Sequence, residues 1–222
     1  MTINDLKKSL ELCAAAYADK QPGCHCVIHT IDDQKSGIQC YLRIYQSSVW
    51  IVFRGTDTAE DLLRDLRFWK KRIPYGNYDS DIRVHSGFIE AYKSTDVRKK
   101  IHSVITDNIC RIEISGHSLG AAMAALCAID LNYNFPHLDI TAVLFGAPRV
   151  GNRAFARSYD RRVFKTFRVE NSKDIVTRLP PALLGYRHVG IKIRLRQGLQ
   201  SIFPPLSAHD VKSYYESLMR LS

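Results

Sequence analysis

The stretch IEISGHSLGAAMAALCAID, residues 112–130, decides how this chain is read. Ile112 and Ile114 alternate with polar neighbours as in a strand. The run that starts at Leu119 is dominated by alanine and leucine, which are strong helix formers. Between the two stands Gly116-His117-Ser118-Leu119-Gly120, a G-x-S-x-G pattern. An ordinary surface turn does not need that spacing. A serine held on a sharp strand-to-helix turn does, because its strained backbone lifts Oγ clear while the flanking glycines let strand and helix approach closely. Ala121, Ala122, Ala124 and Ala125 are small enough for the helix to lie near a sheet. The helix N-terminus also aims N–H groups and its positive dipole end at the serine. Ser118 is the candidate nucleophile.

A serine hydroxyl needs a base, and the base needs an orienting acid. Downstream histidines are His137, His188 and His209. His137 falls in a surface-type loop before a strand, and His188 opens a strand-like run. His209 precedes the last helix, where an imidazole can swing over a sheet edge. It is the expected base, with His188 in reserve. A triad acid lies just beyond the C-terminal end of a strand. Asp174 does so after FKTFRVENSK, with Glu170 in reserve, whereas Asp130, Asp139 and Asp160 sit in the wrong local contexts. The order Ser, Asp, His along the chain is that of α/β-hydrolases. An oxyanion hole is expected from the backbone N–H of Leu119 and from Thr56, which follows Gly55 at the end of the β-rich run VWIVFRGTD.

Around this centre, apolar β-rich runs alternate with helical patterns, which predicts an α/β fold: a mainly parallel central sheet flanked by helices. IQCYLRIYQ (38–46) and SVWIVFRGT (48–56) read as neighbouring strands, followed by further strands at 110–115, 139–148, 163–171 and 187–196. Helices are expected at the N-terminus, with Leu6, Leu10, Cys13, Ala14 and Tyr17 on one face, at 59–69, at about 119–131, near 152–160 and at 210–219. Residues 83–107 begin as a loop and become one longer helix.

The 222 residues, 45% of them hydrophobic, suffice for one sizeable core, and a single domain over 1–222 is expected. No 18-residue apolar stretch occurs. The N-terminal segment, interrupted by Asp5, Glu11 and paired lysines, reads as an amphipathic helix and not as a signal peptide. Six cysteines then suggest free thiols and a cytoplasmic chain, or one peripheral to intracellular membranes. Cys24, His25, Cys26 and His29 have C-x-C-x2-H spacing with no second ligand pair downstream, so a half-buried strand is expected there and no metal. The net charge of +10 favours anionic partners. No nucleic-acid module accompanies it. A solvated basic surface comes first, peripheral contact with an anionic membrane second.

Six segments in order carry a family resemblance: VFRGTD (52–57), VHSGFIEAY (84–92), GHSLGAAMA (116–124), FGAPRVGN (145–152), NSKDIVTRLPP (171–181) and AHDVKSYY (208–215). Together they resemble the class 3, fungal-type lipase family. The resemblance implies an α/β-hydrolase fold and cleavage of lipid esters of the acylglycerol type, without a cofactor, by a monomer. It assigns Ser118, Asp174 and His209 as the triad and Thr56 with Leu119 as oxyanion donors. His85 and His117 match positions that support the triad. The family's lid follows the R-G-[ST] segment. Here that region is TAEDLLRDLRFWKKRIPYGNYDSDIR (58–83), expected to hold a short lid-like helix in which Trp69, among Arg67, Lys70, Lys71 and Arg72, suits a lipid–water interface. Alternative readings are phospholipase A1 or galactolipase-type activity on polar lipids, and a lipase-like binding module without catalysis.

Overall fold

The computed structural model describes residues 1–18, 26–55, 69–74, 79–195 and 207–221. Its central sheet has seven strands: β1 (Val27–Asp33), β2 (Ile38–Tyr45), β3 (Ser48–Phe53), β6 (Arg111–His117), β7 (Asp139–Phe145), β9 (Thr166–Asn171) and β11 (Ile191–Leu195), hydrogen-bonded in that order. The first two pairings are antiparallel hairpin connections, and the remaining four are parallel. Short strands β4 (Lys70–Arg72), β5 (Arg83–His85), β8 (Gly151–Asn152) and β10 (Tyr186–Arg187) make a separate antiparallel sheet in the order β10-β8-β5-β4, which the residue pattern does not announce.

A sheet covered on both faces must send alternate side chains into two cores. Ala142 and Leu144 of β7 enter one cluster, with Ile51, Phe53 and Ile114; Val143 and Phe145 enter the other, with Val52 and Val169. The first core is roofed by helices α2 (Ser86–Tyr92), α3 (Thr95–Ser103), α4 (Leu119–Asn134) and α5 (Arg153–Arg162). The second is closed by α1 (Ile3–Tyr17) and α6 (Val211–Met219). Helix α4 is apolar nearly all round because the sheet and the neighbouring helices bury it, Gly120 through Ala128 without a break.

Helix α1 begins with a reciprocal cap, Thr2 Oγ1 accepting from Asp5 N and Asp5 Oδ2 from Thr2 N. Its inner face is Leu6, Ser9, Leu10, Cys13 and Ala16; Ala14 points outward, so the expected stripe is shifted at that position. The single long helix expected after residue 83 is two. α2 starts early because His85 Nδ1 accepts the Phe88 N–H as a cap. The chain then breaks at Lys93-Ser94, where the Ser94 hydroxyl donates to Asp33 at the β1–β2 turn. Asp130 ties these helices together, accepting from Tyr92 Oη at 2.9 Å and Arg98 Nε at 3.0 Å and pairing with His102 Nε2 at 2.6 Å.

The cysteine expectation needs correcting. Cys26 is disulfide-bonded, while Cys13, Cys40, Cys110 and Cys127 are free. The half-buried strand expected around Cys26 begins exposed, Val27 through Thr30 of β1 all facing solvent. Cys24, His25, Thr56 and the lid-like segment before Trp69 lie outside the described residues. Among the described residues no helix is long and apolar enough to cross a membrane, and no group of His, Cys, Asp and Glu is disposed to hold a metal.

Candidate active site

Strand β6 ends at His117, and α4 begins at Leu119. Ser118, the single residue between them, has φ +59° and ψ −126°, a left-handed conformation that costs a side-chain-bearing residue about 1–3 kcal/mol. Close contacts hold it there. A Cβ on Gly116 would overlap the Gly120 carbonyl, and a Cβ on Gly120 would overlap the Phe53 carbonyl at the end of β3. Both glycines of G-x-S-x-G are thus required by the close approach of three backbone segments. Ser118 N donates to Phe145 O at 3.0 Å, fastening the turn to β7, and Ala121 N donates to Ser118 O at 3.0 Å, starting the helix.

Gly55 is required for space and not for a tight turn. A Cβ there would collide with Tyr17 Oη and sit 2.6 Å from His117 O. The segment leading to Thr56 is therefore pressed against the serine turn.

Asp174 follows β9, and His209 closes a short 3-10 turn before α6. The topology brings them together at the carboxyl edge of the sheet: His209 Nδ1 lies 2.9 Å from Asp174 Oδ2. Asp174 is also held by Tyr214 Oη, which donates to Oδ2 at 2.6 Å, and by Val176 N, which donates to Oδ1 at 2.8 Å. Tyr214 Oη in turn accepts from Asn171 N at 3.1 Å, so one hydroxyl links α6, the end of β9 and the carboxylate. A carboxylate accepts only, so His209 Nδ1 carries the proton and Nε2 presents a lone pair. Ser118 Oγ and His209 Nε2 are both buried, and neither has a hydrogen-bond partner among the described residues. In serine hydrolases a nucleophile–base bond of this kind tightens when substrate binds.

Two further residues bear on this geometry. Gly146 has φ +57°, and a Cβ on it would lie 3.0 Å from both Asp174 Oδ2 and His209 Cε1. The acid–base pair therefore rests directly on the backbone at the end of β7. His117 Nε2 donates to His209 O at 2.7 Å, and its Nδ1 accepts from Tyr17 Oη at 3.0 Å. Burial, and secondarily His209 itself, push the His117 pKa well below the ordinary imidazole range, so it stays neutral and positions the His209 backbone. Gly146 stands within the FGAPRVGN segment, but nothing in the residue pattern marks it, or Tyr214, as part of the site.

The other candidates lie elsewhere. His85 caps α2 and stacks on Phe88 with ring centroids 4.1 Å apart. His188 Nε2 donates to Thr177 O at 2.7 Å, and Glu170 is ion-paired with Arg168 and Lys192, so both reserves are engaged. Trp69 is 76% exposed, and its carbonyl accepts from Ser86 N and Tyr186 Oη.

Residues 50–184, more than half of the chain, match the family model described as Lipase (class 3). The chain is 34% identical over 162 residues to an Arabidopsis thaliana protein named phospholipase A(1) DAD1, chloroplastic, covering 65% of this chain and 36% of that protein. It is 34% identical over 163 residues to a secreted mono- and diacylglycerol lipase of Malassezia globosa, covering 66% and 52%. The chain thus spans about a third to a half of the length of these curated relatives. A solved triacylglycerol lipase, whose catalytic centre is described as a serine protease triad, superposes with a TM-score of 0.76 at 27% identity over 87% of this chain and 80% of that one. Relatives named secreted and chloroplastic overturn the expectation of a cytoplasmic or intracellular-membrane location. That expectation rested on the N-terminal segment, whose described part is the capped helix α1 (Ile3–Tyr17), and a helix carries no address. A serine turn on two obligatory glycines, an acid and a base at the same sheet edge and a match across the central motifs agree: this chain is a member of the class 3 lipase family.

Proposed function

We propose that the chain hydrolyses carboxylic esters of lipids, of the acylglycerol type, through Ser118, His209 and Asp174. The observation that carries this is the His209–Asp174 hydrogen bond set at the same edge as the strained Ser118 turn. His209 Nε2 takes the Oγ proton as Oγ adds to the ester carbonyl carbon. Asp174 keeps the imidazole in the Nδ1–H tautomer and stabilises the imidazolium. The tetrahedral oxyanion accepts from the backbone N–H of Leu119, at the positive end of α4, and from Thr56, next to the pinned Gly55. The imidazolium then protonates the leaving alkoxide as the C–O bond breaks, leaving an acyl-serine. Water, deprotonated by the same Nε2, adds to the acyl carbon and releases the fatty acid. These steps require side chains, main-chain donors and water alone.

Lipid contact is assigned to the exposed apolar side chains Trp69, Leu183 and Leu184. Lys70 Nζ donates to Leu184 O, which places the two segments side by side with a cation between them. Cleavage of phospholipid in place of glyceride is the second reading. The basic groups Arg149, Arg178 and Lys192 near the Asp174 turn and the Arabidopsis relative favour it. A panel of glyceride emulsion, phospholipid vesicles and soluble p-nitrophenyl esters, run on wild type beside Ser118→Ala, tests both. Serine-dependent turnover of at least one lipid ester is expected. Ester turnover that survives in Ser118→Ala contradicts the assignment, and a folded wild type inert on the whole panel leaves a binding module.

A further inference from the structure

On the far side of the Asp174 turn lies a cavity of about 190 Å³. It opens at the carboxyl ends of β9 and β11. In register, Arg168 faces Lys192 and Glu170 faces Arg194 on these adjacent parallel strands. Alternate residues share a face, so the four side chains form one charged patch. Arg149, from the loop after β7, and Arg178 complete the wall. Among the described residues, four cations, Arg149, Arg178, Lys192 and Arg194, thus line the recess beside one lining carboxylate, Glu170. Glu170 is occupied by Arg168 and Lys192. Arg149 is fixed by Nη1 donating to Arg178 O and to Pro180 O at 2.8 Å, which orients its planar fork before any ligand arrives.

The groups register this crowding. Burial and then the guanidinium of Arg168 and that of Arg149 push His188 down to about 3. Burial and the neighbouring arginines hold Lys192 below its usual range. Like charges gathered in a recess repel one another, and an anion between them relieves that repulsion.

We infer that this recess binds a phosphate group, mono- or diester, between Arg149, Arg178 and Arg194. Arginine forks match phosphate oxygens in pairs, and several forks converging on one cavity suit a tetrahedral, multiply charged oxyanion. The recess shares its walls with the proposed catalytic acid and base: Thr177 Oγ1 donates to Asp174 O at 2.8 Å, and Asn171 Nδ2 donates to Ala208 O at 3.0 Å, one residue before His209. The inference concerns binding and stands whether or not the chain cleaves esters.

The test uses the double variant Arg178→Gln/Arg194→Gln, both surface arginines, and an equal-charge control, Lys8→Gln/Arg157→Gln, on α1 and α5. Inorganic phosphate is titrated while the His188 ring resonances are followed by NMR, assigned with His188→Gln. A saturable His188 shift in wild type and control, absent from the double variant, is expected. In the Ser118→Ala background, vesicles of phosphatidylcholine with phosphatidate then identify the source. If the phosphate is a lipid headgroup, the double variant loses about tenfold or more in vesicle affinity relative to the control, and free phosphate competes. If it is a soluble phosphate compound, His188 responds to phosphate while vesicle binding is equal in the two variants. A His188 signal that phosphate does not move, or that moves equally in the double variant, overturns the inference whatever the vesicles do.

Discussion

Ser118, Asp174 and His209 are each at most 3% exposed, whereas Trp69 is 76% and Leu183 99% exposed, the latter only nine residues beyond Asp174. The buried floor is fixed by contacts that leave no room for a side chain: Gly116 against Gly120, Gly120 against Phe53, Gly146 under Asp174 and His209. The exposed rim is fixed by almost nothing of that kind, and its apolar side chains stand in solvent. A floor of this type tolerates no substitution of atoms near the reacting groups, while a rim of this type is free to change without disturbing the fold. On the proposed function, chemistry and lipid contact would fall in physically separable parts of the described residues.

If floor and rim are separable, their substitutions fall into two groups with little overlap. His209→Gln removes the base and should lower kcat on a soluble ester by about a millionfold, by the measured cost of losing one member of such a unit. Its thermal unfolding should stay close to that of wild type. Gly146→Ala places a methyl group 3.0 Å from the acid and the base at a residue whose φ is +57°. It should cost about 10²-fold in kcat/KM, the effect of a small misplacement of reacting groups, and about 1–2 kcal/mol of stability from the left-handed backbone. Kinetics and urea denaturation together check both. Tyr214→Phe leaves Asp174 and Asn171 N each short of a partner, and should cost about 1–3 kcal/mol of stability with roughly a tenfold fall in kcat, the equivalent of about 1.4 kcal/mol in the barrier. On the rim, Leu183→Ser should weaken binding to a lipid emulsion roughly tenfold, as the loss of about 1.5 kcal/mol for one buried apolar side chain suggests. Soluble-ester kcat should not change. A rim variant that lost soluble-ester activity, or a floor variant that lost only emulsion binding, would erase the division.

The smallest effect is on pH. His117 and His188 are buried with depressed pKa values, His188 at about 3. Above the unfolded value of about 6.5 neither state binds a proton at these rings, so stability is unaffected. As pH falls below that value the unfolded chain takes up protons that the folded chain refuses, and stability is lost. For His188 the loss ends near pH 3, where the folded form is protonated too. His188→Asn should therefore flatten the dependence of unfolding free energy on pH between 4 and 6, by at most about 1.4 kcal/mol per pH unit.

The division also explains what could be read from the residues alone. The serine turn was legible because its constraints are local: the glycines that make room for it are two residues away on either side, and the change from strand alternation to an alanine-rich helix is visible in a single window. The parallel strands were legible for the same reason. Gly146 and Tyr214 were not, because a lone glycine in FGAPRVGN and one tyrosine in a helical stripe acquire meaning only when β7, β9 and α6 converge. The histidine cap of α2 and the break at Lys93-Ser94 were missed because one depends on an uncommon capping residue and the other on Asp33, sixty-one positions away. The disulfide at Cys26 was missed because the cysteine expectation was drawn from an assumed compartment and not from the local chain.

The most direct test of the central assignment is covalent labelling by a fluorophosphonate, with the modified residue located by mass spectrometry. Stoichiometric adduct on Ser118 in wild type, abolished in folded His209→Gln, is the expected result. An unmodified Ser118 in a protein that still turns over esters, or an adduct on another residue, would contradict it.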